Sequence, residues 1–349
     1  MMPQTKYISH ENLKIFLGSL KKNYRVYVPV KKGDQRFYAK YEEAAKNVII
    51  GEVRPFEPLK VFFTRAREMV ADGFTPKVPH ADDKPFAIVG VKACDLKGFK
   101  VQDHVFMDPD YIDPFYAKQR QDNLIISADC TTTLDTCFCL AVGVKPHPEE
   151  GFDINLSGVD SGFLVEIGSE KGQDIVDGKP SLFQEANEKL ISRRDSRREK
   201  ITKAVEKNIK DNEIPCEDAF EGIIEKNFEA DIWKDEAKEC VECGACTMIC
   251  PTCHCFLLYD QKSEARMARL RIWDSCMIKD YARVGGGENP RSKLWMRLRN
   301  RFEKKFDFFP KTLKIYACTG CGRCIAACPA KIDIRKVLKK LVKGDGNSE

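Results

Sequence analysis

The sequence predicts an α+β chain: a mixed α/β first half, then a helical second half that carries most of the cysteines. Three observations predict it. Short apolar strand-like runs alternate with helical patterns up to about residue 180, and charged helical patterns replace them from there on. Of sixteen cysteines, all but four fall after residue 215. The boundaries expected are an α/β domain over 1–180, a basic helical connector over 181–215 and a helical domain over 216–349.

The elements follow in order. ENLKIFLGSLKK (11–22) has the spacing of a short amphipathic helix. YRVYVPV (24–30) and QRFYAKY (35–41) flank KKGD, a turn, and predict a β-hairpin. EPLKVFFTRAREMVADG (57–73) predicts a helix closed by Gly73. KPFAIVGVKAC (84–94) and DNLIISADC (122–130) are short, fully apolar runs, the pattern of buried strands in a parallel sheet. FDINLSGVDSGFLVEIGS (152–169) alternates around a glycine-containing turn and predicts a strand pair. Beyond residue 180 no strand pattern is evident. Helices are predicted over 223–239, over 264–284 (EARMARLRIWDSCMIKDYARV), over 289–306 (NPRSKLWMRLRNRFEKKF) and over 332–344.

Composition limits the chemistry. A hydrophobic fraction of 43% beside 32% charged residues is that of a water-soluble globular chain. No run of eighteen apolar residues occurs, so no membrane span is expected. MMPQTKYISHENLKIF lacks the basic and apolar regions of a secretory signal. A long chain without such a signal, with its cysteines at metal-ligand spacings, points to a reducing compartment and metal binding, not to a disulfide scaffold.

Cys240, Cys243, Cys246 and Cys250 form C-x2-C-x2-C-x3-C followed by Pro251, and Cys318, Cys321, Cys324 and Cys328 repeat the pattern before Pro329. Three thiolates at steps of three wrap one corner of a [4Fe–4S] cubane, and the fourth points away to the other cluster. The expected sets are therefore Cys240, Cys243, Cys246 and Cys328 for cluster A, and Cys318, Cys321, Cys324 and Cys250 for cluster B. Zinc also takes C-x2-C pairs, but zinc ribbons need neither the third cysteine at a second x2 step nor the Cys-Pro ending.

Cys94 and Cys130 each follow an apolar run. If both runs are parallel strands, both thiols emerge at the carboxyl edge of the sheet, where α/β sheets gather ligands. Cys137 and Cys139 point to the same side of an extended CFC segment. These four are candidates for a third [4Fe–4S] site, cluster C. Core packing of two of them, or zinc or a redox-active thiol at the CFC pair, stay open on the residues alone.

GVKACDLKGF, DCTTTLDTCFCLAVG, CVECGACTMICPTCHCF, RIWDSC and CTGCGRCIAACP, in this order, resemble the iron–sulfur electron-transfer subunit of anaerobic sulfite reductase and the related β subunits of cytoplasmic NiFe sulfhydrogenases. The likeness runs from YRVYVPV to the C-terminal helix. The wide separation of the two motifs, with helical sequence between, also resembles the α-helical ferredoxin domain of succinate dehydrogenase iron–sulfur subunits and of the small subunit of heterodisulfide reductase. The resemblance implies a cytoplasmic electron-transfer subunit without catalytic residues of its own. Its implied partners are an FAD/NAD(P)H flavoprotein and a catalytic redox subunit of the sulfite reductase or hydrogenase/sulfur reductase type. It includes the ACD and CFC motifs, and so supports cluster C. It also covers Cys253, Cys255 and Cys276, for which no role follows; Cys216 is the incidental cysteine. The alternative is a subunit of a heterodisulfide-reductase-like or other anaerobic redox complex.

The remaining signals are weaker. His254 lies within CHC and fits packing better than iron ligation. Gly285–Gly287 lacks the G-x-G-x-x-G spacing and follows no strand pattern, so it reads as a turn. No P-loop or G-x-S-x-G is present. Residues 189–211 carry nine Lys/Arg against four Asp/Glu, and 291–305 seven against one. The first reads as a solvated helix face, the second as an amphipathic helix packing on the clusters. A nucleic-acid enzyme with a structural cluster is the remote alternative, and no nucleic acid is expected among the partners.

Overall fold

The computed structural model describes residues 5–41, 47–77, 84–263 and 266–344. β1 (Lys6–Ser9) and α1 (His10–Leu20) lead into the hairpin β2 (Arg25–Lys32) and β3 (Gln35–Lys40). The next elements are α2 (Lys60–Phe63), β4 (Arg67–Asp72), β5 (Thr75–Pro76), β6 (Phe86–Val91), α3 (Ala93–Phe106), α4 (Pro114–Asp122) and β7 (Leu124–Ala128). The hairpin β8 (Ile154–Val159) and β9 (Gly162–Ile167) precedes α5 (Glu170–Asp177), β10 (Gln184–Glu185) and α6 (Glu188–Asp211). An eight-stranded sheet runs in the order β10-β1-β9-β8-β7-β6-β2-β3. Its centre, β2, β6, β7 and β8, is parallel, as the two apolar runs predict, and its flanks are antiparallel.

Strand alternation divides the core between the two faces of this sheet. Ala87, Val89, Ile126 and Leu156 pack with α1 on one side. Phe86, Ile88 and Ile125 pack with Phe99 and Phe106 of α3 and Tyr116 of α4 on the other. Because β6 and β7 are parallel, Cys94 in the first turn of α3 and Cys130 just past β7 share one edge.

The second half is less purely helical than its composition suggests. Short helices α7 (Ile223–Lys226), α8 (Ile232–Ala237) and α9 (Ala245–Met248) are followed by strands β11 (Phe256–Ser263) and β12 (Arg266–Trp273). Helices α10 (Leu294–Glu303), α11 (Phe309–Leu313), α12 (Arg323–Ala327) and α13 (Ile334–Lys343) complete the chain, with a π-helical turn over Lys304–Phe308 after α10. Two predicted helices are therefore corrected. Residues 57–73 form only a single helical turn and then β4, with Gly73 closing the β4–β5 turn, not a helix. Residues 266–273 are a strand in the sheet β11-β12-β4-β5, while 264–265 lie outside the described residues. Arg, Ala, Met and Leu favour helix locally, but the pairing of Leu270 with Met69 and Arg271 with Glu68 overrides that preference. Arg271 is buried there between Glu68 and Asp113. This small sheet thus joins segments from both halves of the chain.

The basic helix α6 also departs from its reading as a solvated face. Arg198 bonds Asp129 (2.7 Å) and Glu166 (2.6 Å), Arg194 bonds Glu166 (3.0 Å), and Arg197 reaches Asp160 and the Gly158 carbonyl. Its central arginines are thus used in fastening the helix across β8 and β9. The helix of 291–306 packs inward as expected: Phe302 and Phe306 enter a core with Trp233, Phe220 and α13, and Trp295 packs against its edge. Gly285–Gly287 is a turn, closed by the Gly287 N–H on the Val284 carbonyl.

Candidate iron–sulfur centres

The two C-terminal motifs fold alike. In each, a glycine in the left-handed conformation (Gly244, φ 72°; Gly322, φ 68°) starts a short helix, α9 or α12, that carries the third cysteine. Cys240, Cys243, Cys246 and Cys328 line one apolar cavity together with Met277, Leu298 and Ile332. Three come from the first motif and one from the end of the second, the crossed set expected for cluster A. Cys324 also borders this cavity. Cys250 in turn lies within electrostatic reach of Cys318 and Cys324, and Cys324 within reach of Cys321.

A second apolar cavity is lined by Cys94, Cys130, Cys137 and Cys139, with Val53, Val205 and Pro146 in its wall. The sheet edge supplies the first two thiols and the CFC loop the others. Cys321 of the second motif borders the same cavity. Its loop is seated on the CFC loop, where the Phe138 N–H donates to the Gly320 carbonyl at 2.8 Å. The pair Asp95 and Arg323, fully buried and 2.8 Å apart, ties the residue after Cys94 to the residue before Cys324. Arg323 also donates to the carbonyls of Pro55, Phe56 and Glu57.

The donor chemistry of these cavities fits iron–sulfur clusters. Burial pushes the thiols of Cys130 and Cys324 up to about 11 and that of Cys318 up to about 12. A buried thiolate requires a compensating positive centre, which a metal cluster supplies. Among the described residues no three such side chains converge on one point as ligands of a lone ion do. The thiols instead ring cavities, and each wall contains a buried cation with an N–H left without a partner among the described residues: Arg301 Nε at the first and Arg54 Nη2 at the second. Lys92, also buried, lies beside Cys130 and Cys94 and donates to the carbonyls of Ile50, Ala128 and Asp129. Such cations suit an anionic thiolate-bound cluster.

The unassigned cysteines lie outside the rings. Cys253 hydrogen-bonds Cys250, holding the Cys250 thiol well below its ordinary value, and Lys305 Nζ sits 3.3 Å from Cys250 Sγ and 3.7 Å from Cys253 Sγ. Cys255 hydrogen-bonds Cys276 and the Tyr281 hydroxyl at the foot of the β11–β12 ribbon; the bond from Cys276 lowers Cys255 to about 5. His254 is packed between Phe106 and Phe309 with Nδ1 3.1 Å from the Thr252 carbonyl, in keeping with a packing role. Cys216 is exposed. Sequence reasoning missed the buried cations Lys305, Arg301, Lys92 and Arg54. Their signal is faint: a basic residue carries no spacing that betrays burial.

Residues 239–332 match the 4Fe-4S dicluster domain family. The chain is 32% identical over 333 residues to sulfhydrogenase 2 subunit beta of Pyrococcus furiosus, covering 94% of this chain and 96% of that protein. Among the described residues no helix is long and apolar enough to cross a membrane.

Proposed function

Because the chain belongs to the family of sulfhydrogenase β subunits and is an iron–sulfur electron-transfer protein, we propose that it holds three [4Fe–4S] clusters as a relay in a cytoplasmic anaerobic complex. The relay links an FAD/NAD(P)H flavoprotein to a catalytic subunit of the hydrogenase/sulfur reductase or sulfite reductase type. A bound cubane accepts and releases single electrons. Everything else is the work of this chain's residues. Cys240, Cys243, Cys246 and Cys328 hold cluster A. Cys318, Cys321, Cys324 and Cys250 hold cluster B, and Cys94, Cys130, Cys137 and Cys139 hold cluster C. The α/β domain over 1–180 and the α-helical ferredoxin domain over 216–349, joined by 181–215, bring these sets together.

One observation carries the reading: Cys321 borders the cavity of the N-terminal thiols, and Cys324 borders that of Cys240 and Cys328. One short loop therefore touches both neighbouring sites, which gives the order C–B–A. The apolar walls keep water from the sulfurs, and the buried cations offset their charge.

Strictly anaerobic, low-salt affinity purification from the native host tests this. The expected result is three clusters' worth of iron per chain, with a flavoprotein and a nickel- or sirohaem-bearing subunit retained. An iron-free chain, or a purified chain that by itself consumed hydrogen or reduced sulfite at a useful rate, would contradict it.

A further inference from the structure

We propose that Lys305, with Cys253 beside it, is the positioning pair that caps the Cys250 sulfur and sets the reduction potential of the centre held by Cys250, Cys318, Cys321 and Cys324. The inference rests on the cluster reading above and extends it to two residues outside the ligand sets.

Lys305 is only 4% exposed. Its ammonium meets Thr252 Oγ1 at 2.9 Å and the Ala317 carbonyl at 3.0 Å, besides the two sulfurs. Among the described residues no carboxylate pairs with it. Burying an ammonium without a counter-charge is strongly unfavourable, so the charge that balances Lys305 must come from the thiolates it touches. The backbone is built to hold it there. Lys305 lies in the π-helical turn Lys304–Phe308, where Lys305, Phe306 and Asp307 are buried in succession, and its carbonyl accepts from the Ala317 N–H at 3.0 Å. Single π-turns inside helices are frequent at functional sites. Thr252 completes the clamp, lying 3.1 Å from Cys250 Sγ and donating to the same Ala317 carbonyl at 2.7 Å. Ala317 directly precedes the ligand Cys318, so ammonium and hydroxyl together pin the Cys250 loop to the start of the second motif.

The electrostatic consequence has a definite sign. Reducing a thiolate-bound cubane adds one negative charge, and a fixed cation in a poorly screened interior favours that state. A hydrogen bond from Cys253 to Cys250 acts in the same direction by drawing charge from the ligand sulfur. Arg301, one helical turn earlier, lines the neighbouring cavity of Cys240 and Cys328. Lys305 and Arg301 thus serve adjacent centres from one continuous helical segment, and removing Lys305 should act on one centre selectively.

The test is a redox titration of the anaerobically isolated, iron-loaded chain, followed by electron paramagnetic resonance. Lys305→Met should retain its iron and weaken reduction of a single centre about tenfold or more, a fall of about 59 mV for a one-electron couple. Lys305→Arg should restore most of the loss. Cys253→Ala should lower the same midpoint by less, with Cys253→Ser in between. Full iron with every midpoint unchanged would overturn the proposal, as would an equal shift of all centres. If Lys305→Met loses iron, the Cys253→Ala titration decides, and an unmoved midpoint there overturns it. A wild-type chain without iron would remove the cluster reading and the proposal together.

Discussion

The two thiol-lined cavities are built in opposite ways. The one around Cys240, Cys243 and Cys246 takes three of its cysteines from a single seven-residue loop and short helix, while Cys328 and the bordering Cys324 come from afar. The one around Cys94, Cys130, Cys137 and Cys139 draws on a helix start, a strand end and a separate loop, brought together by the parallel pairing of β6 and β7. The first is written as local spacing and the second as topology. The difference predicts what each can withstand. A site made by one loop tolerates change in the surrounding sheet, whereas a site made by three segments depends on everything that fixes their relative position.

The strongest way to break this comparison is at Gly320, where the two architectures touch. Gly320 has φ 61°, and an added Cβ would lie 2.4 Å from Cys139 Cα and 2.5 Å from its nitrogen. Backbone cannot yield at such distances, and a non-glycine residue in that conformation adds about 1 kcal/mol or more of strain. Gly320→Ala should therefore cost more than one cluster's worth of iron and lower the thermal midpoint sharply. Iron analysis and a thermal melt read both effects, and a variant with full iron would show that the loops are not in register as described.

Next in size is Asp95→Ala. It leaves the fully buried Arg323 guanidinium without its carboxylate, a loss of about 3–5 kcal/mol when one partner of such a pair is removed. Asp95 also accepts from the Leu59 N–H at 3.1 Å. Denaturant unfolding should show the loss, with iron at the N-terminal site falling first because Cys94, one of the thiols lining it, directly precedes Asp95 in the first turn of α3. Loss from all centres in step would mean that the two architectures are not energetically distinct. A narrower change is Cys94→Ala, which should lower iron by one cluster and leave the signals of the C-terminal motifs in place. Unchanged iron would sink the third cluster.

These variants also mark what was legible in the sequence. The two C-terminal cysteine motifs were legible because each is a spacing pattern confined to one loop and its short helix. Cys94 and Cys130 were legible only through the apolar runs before them, which betray buried parallel strands. The β4 and β12 strands were not. RAREMVAD and RMARLRIW are rich in helix formers, and their strand state comes from pairing with each other across some two hundred residues, which no local window contains. The cations were hidden for a related reason. Lys305 and Arg301 sit in a stretch holding seven basic residues, where nothing local separates a buried charge from a solvated one.

The smallest expected effect concerns a thiol outside both rings, and it sharpens the comparison by asking whether a cysteine can be reactive here without a ligand role. Cys255 accepts hydrogen bonds from Cys276 and Tyr281, which lower it to about 5 against burial acting the other way. An acid with a lowered value keeps its charged form as pH falls, so Cys255 should remain thiolate from about pH 8 down to about 5, where an ordinary thiol has protonated. Alkylation by iodoacetamide, followed by peptide mass spectrometry, should therefore proceed at Cys255 with little change in rate between about pH 8 and about pH 6. For free cysteine run alongside as the reference thiol, the rate should fall about tenfold for each unit below the ordinary thiol range. Cys276→Ala removes the leading donor. It should restore the steep pH dependence at Cys255 while leaving iron content unchanged. A loss of iron in that variant would instead make Cys276 a ligand and require one of the twelve assigned cysteines to be released.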